Sequence, residues 1–183
     1  MLRLFIVLFS LTLSSQAMAM QLLDPCRACH KDNGQPVNVD TTPLIGSQNV
    51  MYIMGVLQDY AMGKRPTEVA VHKEIPQQLH MMYGAHYSQQ PWVSPWQAVD
   101  NKRADRGKEL IGGCERCHRE GGKVQYDDNP RLAGQRMDYL RLRMAQFRKE
   151  GRTPPQPKKM RSFMKELSDE QIEDVIHFYA RNR

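Results

Sequence analysis

Four cysteines occur in the 183 residues, and each pair is followed at once by a histidine: Cys26-Arg27-Ala28-Cys29-His30 and Cys114-Glu115-Arg116-Cys117-His118. No cysteine is left over. Two thiols two residues apart, with an imidazole directly behind, suit covalent attachment of a c-type haem. The thiols add across the porphyrin vinyl groups and the histidine binds the iron from below. CxxC pairs also build four-cysteine zinc sites and the redox disulfides of thioredoxin-like folds. Neither use needs a histidine after both second cysteines, and no βαβ pattern surrounds either pentapeptide. The expectation is two covalently bound c-type haems, one on Cys26 and Cys29 and one on Cys114 and Cys117, with His30 and His118 as iron ligands.

The elements that must position these residues occur twice. Cys26 and Cys114 are 88 residues apart, and beyond the pentapeptides the offset is 87: Pro43 matches Pro130, Ile45 Leu132, Gln48 Gln135, Tyr52 Tyr139, Tyr60 Phe147 and Arg65 Arg152. Apolar residues recur at helical spacing in both copies, as Val50, Ile53, Leu57 and Tyr60 and as Met137, Leu140, Met144 and Phe147. A last helix is announced by Ser168 with Gln171 three residues on, by Asp169 and Glu170 in its first turn, and by the stripe Ile172, Val175, Ile176 and Tyr179. Strand signals are nearly absent, so the fold class is all-α with two tandem haem domains. Their expected bounds are 20–88 and 102–183, joined by a Pro- and Ser-rich linker over 89–101 whose tryptophans, Trp92 and Trp96, are placed to pack between them. Domains this small are marginal without help, and a buried porphyrin supplies apolar volume to each.

Arg3, the apolar run from Leu4 to Leu13 and the Ala17-Met18-Ala19 pattern read as a secretory signal peptide over 1–19, which implies a periplasmic protein. The run is too short to span a bilayer. With 40% hydrophobic and 25% charged residues the remainder is neither a bundle of membrane spans nor a disordered tail. Charge is unevenly divided: residues 20–94 carry net −1 and residues 95–183 net +6. Export argues against nucleic acid as the basic half's partner and leaves an acidic protein or an anionic membrane surface.

Each half resembles a class I cytochrome c, and the tandem resembles the diheme cytochrome c4 group, including the haem subunits of sulfide-oxidising flavocytochromes. In the second half the resemblance rests on Cys114 to His118, on Asn129-Pro130-Arg131-Leu132-Ala133-Gly134-Gln135 with Tyr139-Leu140, and on Met160 seven residues before Leu167-Ser168-Asp169-Glu170. It implies that Met160, in the loop before the final helix, is the sixth iron ligand. It also implies that the Pro130 carbonyl fixes the His118 ring, and that Asp105 to Ile111 belong to an N-terminal helix crossing the C-terminal one. The first half departs from the pattern. Too few residues precede Cys26 for the usual N-terminal helix, so domain 1 is expected to be truncated there and its haem more open on one edge. No methionine occupies the expected slot either. The candidates are His72, in a loop, and His80, Met81, Met82 and His86, on the helix after Pro76; His72 is the residue chosen.

Two strong axial ligands on each iron leave no open position, so the function expected is a one-electron carrier without a catalytic residue of its own. Rival readings are the haem subunit of a periplasmic oxidoreductase acting on sulfur compounds or oxyanions, and a haem-based sensor. The partners expected are redox proteins, a membrane-associated oxidase or reductase among them, with an acidic one at Lys158, Lys159, Arg161 and Lys165 around Met160. Tyr52 and Tyr139 are expected to pack near the two rings. Covalent attachment predicts that two haems stay with the polypeptide through denaturing extraction and that Cys114→Ala with Cys117→Ala leaves one. Loss of all colour from the wild type on extraction would contradict the assignment.

Overall fold

The computed structural model describes residues 23–37, 41–126, 128–149 and 154–183; the expected signal peptide lies outside them. Among the described residues the structure is helical, with no strand. The N-terminal half contains α1 (Asp24–His30), α2 (Val50–Ala61), the one-turn α3 (Val71–Glu74) and α4 (His80–Ser88). The C-terminal half contains α5 (Asn101–Leu110), a 3-10 turn over Ile111–Arg116, α6 (Met137–Arg148), α7 (Lys158–Glu166) and α8 (Asp169–Arg181). Residues 91–100 run without helix between them.

Local chemistry explains the boundaries. Asn49 caps α2 by accepting the Met51 N–H at 2.7 Å, and Ile53, Leu57 and Tyr60 fall on one buried face. Asp100 caps α5 by accepting from the N–H groups of Lys102 and Arg103. At α8 the capping box predicted from Ser168 and Gln171 is present in both directions. Two separate cores result. One gathers Leu23, Ile53, Leu57, Ile75, Tyr83 and Tyr87; the other is built on Ile111, Met137, Leu140, Met144, Met164 and the α8 stripe.

The C-terminal half is closed by the crossing of α5 over α8. The two backbones touch at Gly107, where an added Cβ would stand 2.1 Å from the Asp174 carbonyl oxygen. Asp174 itself is buried under two guanidinium groups. Arg106 donates through Nε at 2.7 Å and Nη2 at 2.8 Å, and Arg103 donates through Nη1 at 3.0 Å. These hydrogen bonds, Arg106 foremost, hold the carboxyl below its ordinary pKa.

The duplication is written into the main chain. The Gly34 carbonyl accepts from Ile45 N–H at 3.0 Å, and the Gly122 carbonyl from Leu132 N–H at 2.9 Å; both pairs match at the sequence offset. Ser47 N–H reaches the Tyr87 carbonyl at 2.9 Å as Gly134 N–H reaches that of Tyr179 at 2.7 Å, which makes α4 the counterpart of α8.

Three expectations need correction. His72 and Met160 lie in short helices, α3 and α7, not in loops. In α7 the spacing of Met160, Phe163 and Met164 turns an apolar face inward, which favours a helix directly after Pro157. Trp92 does sit between the halves, half-buried with the Arg131 guanidinium 5.0 Å above its ring, but Trp96 is 81% exposed. The neighbouring Gln97 is the residue tied down, donating to the Gln135 carbonyl and accepting from Met137 N–H, and successive side chains of an extended segment point to opposite sides.

Because Gly107 leaves no space for a side chain against the α8 main chain, Gly107→Ala is expected to destabilise the C-terminal half by about 2–3 kcal/mol. Thermal unfolding of the haem-loaded protein, followed by helical circular dichroism, measures the change. An unchanged midpoint would show that the crossing can yield.

Candidate haem sites

Both pentapeptides are held by a short element packed on its own core, but the elements differ. Cys26, Cys29 and His30 lie within α1, which Pro25 helps to start. Cys114 lies in the 3-10 turn after α5, and Cys117 and His118 follow it. The two cysteine pairs belong to different halves and do not converge on a four-cysteine site. Burial, with the charge of Cys29 second, pushes the Cys26 thiol up to about 11, and burial raises Cys114 as well. Apolar-walled thiols of this kind are the opposite of a redox CxxC pair, whose thiolate is stabilised. A tyrosine from the last helix of each half stands beside the first cysteine, Tyr87 near Cys26 and Tyr179 near Cys114.

His30 is 7% exposed, and burial lowers its pKa to about 4, with the nearby His72 contributing. His118 is shifted down for the same leading reason. Both imidazoles are neutral at physiological pH, as metal ligation requires. The Pro43 carbonyl acts on the His30 ring and the Pro130 carbonyl on the His118 ring, each opposing the downward shift. Nδ1 of both rings is nevertheless buried without a hydrogen bond of ordinary geometry. Paired thiols, a neutral buried imidazole and a facing carbonyl in each half form a donor set that fits a covalent haem. Pro43 had a signal in the sequence, its match to Pro130.

His72 stands next to His30. The two ring centres are 6.4 Å apart, with the planes tilted by 32°. Tyr60 stacks on His72 at 4.7 Å and 16°, and His72 Nδ1 lies 3.2 Å from Thr67 Oγ1. Burial lowers the pKa of His72 to about 4, helped by the charges of Arg143 and Arg65. The other candidates are placed differently. His80 is buried with Nε2 3.1 Å from the Ile75 carbonyl, and the ring of His86 reaches the Asp32 carbonyl at 2.8 Å. Met81 is exposed, and Met82 packs against the first core. In the second half, Met160 and Cys114 pack on the same core, and Phe163 of α7 lies against Gly113 beside Cys114. Lys158, Lys159, Arg161 and Lys165 are exposed around Met160.

The halves meet through equivalent residues. Gln48 donates to the Arg131 carbonyl and accepts from Arg131 N–H, both at 2.9 Å, while Gln135 makes the same pair with Leu44 at 3.0 and 2.9 Å. Gln125 adds two bonds, to Ser47 and Asn49. Tyr52 and Tyr139 hydrogen-bond each other across this junction. Arg65 donates to Tyr139 Oη at 3.1 Å, and Arg143 donates to Tyr60 Oη. The charge at His72 is therefore not the net −1 of its own half, because a guanidinium from each half stands beside it. Sequence reading missed Gln125 and Arg143; Arg143 had only the weak signal of lying three residues beyond the apolar Leu140.

Residues 104–180 match the family model "Cytochrome c", a segment containing Cys114, Cys117, His118 and Met160. That is less than half of the chain. No curated protein matches the sequence. Among solved structures, reduced recombinant cytochrome c4 from Pseudomonas stutzeri is similar with a TM-score of 0.75 and 23% identity, covering 91% of this chain and 98% of its own. Cytochrome c4 from Acidithiobacillus ferrooxidans gives 0.74 and 19%, covering 87% and 99%. Thiosulfate dehydrogenase TsdBA from Marichromatium purpuratum gives 0.75 and 20%, covering 86% of this chain but 36% of that one.

Proposed function

The fold is that of a cytochrome c4-like protein with two tandem class I cytochrome c domains, and we propose that it is an exported diheme electron carrier passing single electrons between redox proteins. The observation that carries this reading is the repeated site, two thiols and a neutral, buried imidazole in each half. Bound covalently, each haem supplies a one-electron iron couple. The chain anchors it through Cys26 and Cys29 or Cys114 and Cys117, and offers His30 or His118 to the iron.

In this reading His72 is the sixth ligand of the first iron. Two imidazoles sharing a metal, each nitrogen about 2 Å from it, stand with centres roughly 6 Å apart, which agrees with the spacing to His30. Thr67 beside Nδ1 leaves Nε2 for the metal. Met160 is the sixth ligand of the second iron, supported by its place on the core shared with Cys114. The bounds 20–88 and 102–183, and removal of 1–19 on export to the periplasm, belong to the same proposal. Among the described residues no helix is long and apolar enough to cross a membrane.

A thioether favours ferrous iron and a second imidazole favours ferric iron, so ligation makes the His30 site the lower-potential one and the His118 site the exit. The ferric protein is expected to show a sulfur-to-iron charge-transfer band from one haem only. Met160→His should abolish the band and lower only the higher potential, whereas His72→Ala should alter the other haem. Two such bands, or an unaltered first haem in His72→Ala, would transfer the assignment to Met81 or Met82.

The exposed basic side chains on α7 suit an acidic partner near Met160. Electron transfer to that partner is expected to slow as salt rises, since screening shortens the reach of charge to about 10 Å at 0.1 M. A rate indifferent both to salt and to reversal of these four charges would remove the docking assignment. The likeness to thiosulfate dehydrogenase favours one second reading, a haem subunit of an oxidoreductase. Strong binding of carbon monoxide to the reduced protein would favour it, because a carrier with two strong ligands on each iron binds little.

A further inference from the structure

We propose that Arg65 and Arg143, one from each half, form a clamp for the carboxylates of the haem held at His30, so that the C-terminal half helps set the potential of the N-terminal site. The proposal rests on the haem reading above and extends it to residues that bind no iron.

Both arginines are buried, at 6% and 8% exposure. Neither pairs with a carboxylate among the described residues, unlike Arg27, Arg103, Arg106, Arg141, Arg148 and Arg181. Their partners are neutral. Arg65 bonds Tyr139, Arg143 bonds Tyr60 and Gln146, and Nε of each has no partner. Asp59 is close enough to feel the charge of Arg65 but makes no ion pair with it. Two full charges buried against phenols and an amide cost several kcal/mol unless anions join them. Guanidinium forks favour carboxylates, and a haem brings two.

Position selects which haem. Tyr60, whose ring carries Arg65 at 5.6 Å and Arg143 at 5.8 Å, stacks on His72, and both guanidinium charges act on that imidazole. Iron gains an electron on reduction while no bond changes, so cations fixed here favour the reduced state. They raise the potential that a second imidazole lowers, and narrow the gap between the two sites.

The test is a redox titration of the two-haem protein, resolved by haem, for the wild type, Arg143→Gln, Arg143→Lys, Tyr60→Phe and the exposed control Lys102→Gln. Arg143→Gln is expected to lower the potential of the haem whose spectrum changes in His72→Ala, and to move the other no more than Lys102→Gln does. Arg143→Lys should recover most of the shift. Tyr60→Phe, which keeps the stacking and only releases Arg143, should lower the same potential by less, and serves if Arg143→Gln does not accumulate. The clamp is overturned if both haems are attached and neither potential moves beyond the control, or if the methionine-ligated haem is the one that moves. A failed haem reading would register separately, as missing covalent haem before any titration.

Discussion

A glutamine side chain from each half closes on the main chain of the other, Gln48 on Arg131 and Gln135 on Leu44, and the inner architecture follows from that exchange. The four bonded residues are equivalent in pairs, so the contact is self-complementary in the way of a two-fold dimer interface although one chain makes both sides. Buried amides that use both donor and acceptor leave little freedom of register. Once the two loops are fixed, Tyr52 must meet Tyr139, and Arg65 and Arg143 are carried into a shared interior.

That interior makes the pair of domains more than two copies joined by a linker. Each core is self-contained and each pentapeptide is served by its own half, down to the tyrosine at its first cysteine. The surroundings of His72 are different, because Tyr60 of the first half and Arg143 of the second both reach them. Residues that would be a polar helix face in an isolated domain become part of the neighbour's electrostatics. Burial then gives their charges far more weight than surface charges of the same number carry.

The halves also differ in the element that carries the cysteines. In the C-terminal half α5 lies across α8, is locked by Asp174 under two arginines and hands the chain to a 3-10 turn that bears Cys114, whereas in the N-terminal half α1 carries both cysteines itself. The N-terminal core is built mainly on α2 and α4, with the short α3 bringing His72 toward His30.

The sequence alone determined what is local or repeated. The two CxxCH pentapeptides, the 87-residue offset, the cap at Ser168 and the apolar stripes depend on neighbours a few residues apart, and short-range sterics and hydrogen bonding express them whatever surrounds them. The matched Gln48 and Gln135 were visible as a pair, and so were Tyr52 and Tyr139. Only the tertiary structure decided that these pairs bond each other across the junction, that Pro43 does for His30 what Pro130 does for His118, and that Arg143 stands beside a histidine 71 positions away in the chain. A polar side chain on a helix has no period to announce it. Whether it meets solvent, a core or a neighbouring domain is settled by long-range packing, and no window of sequence contains both partners.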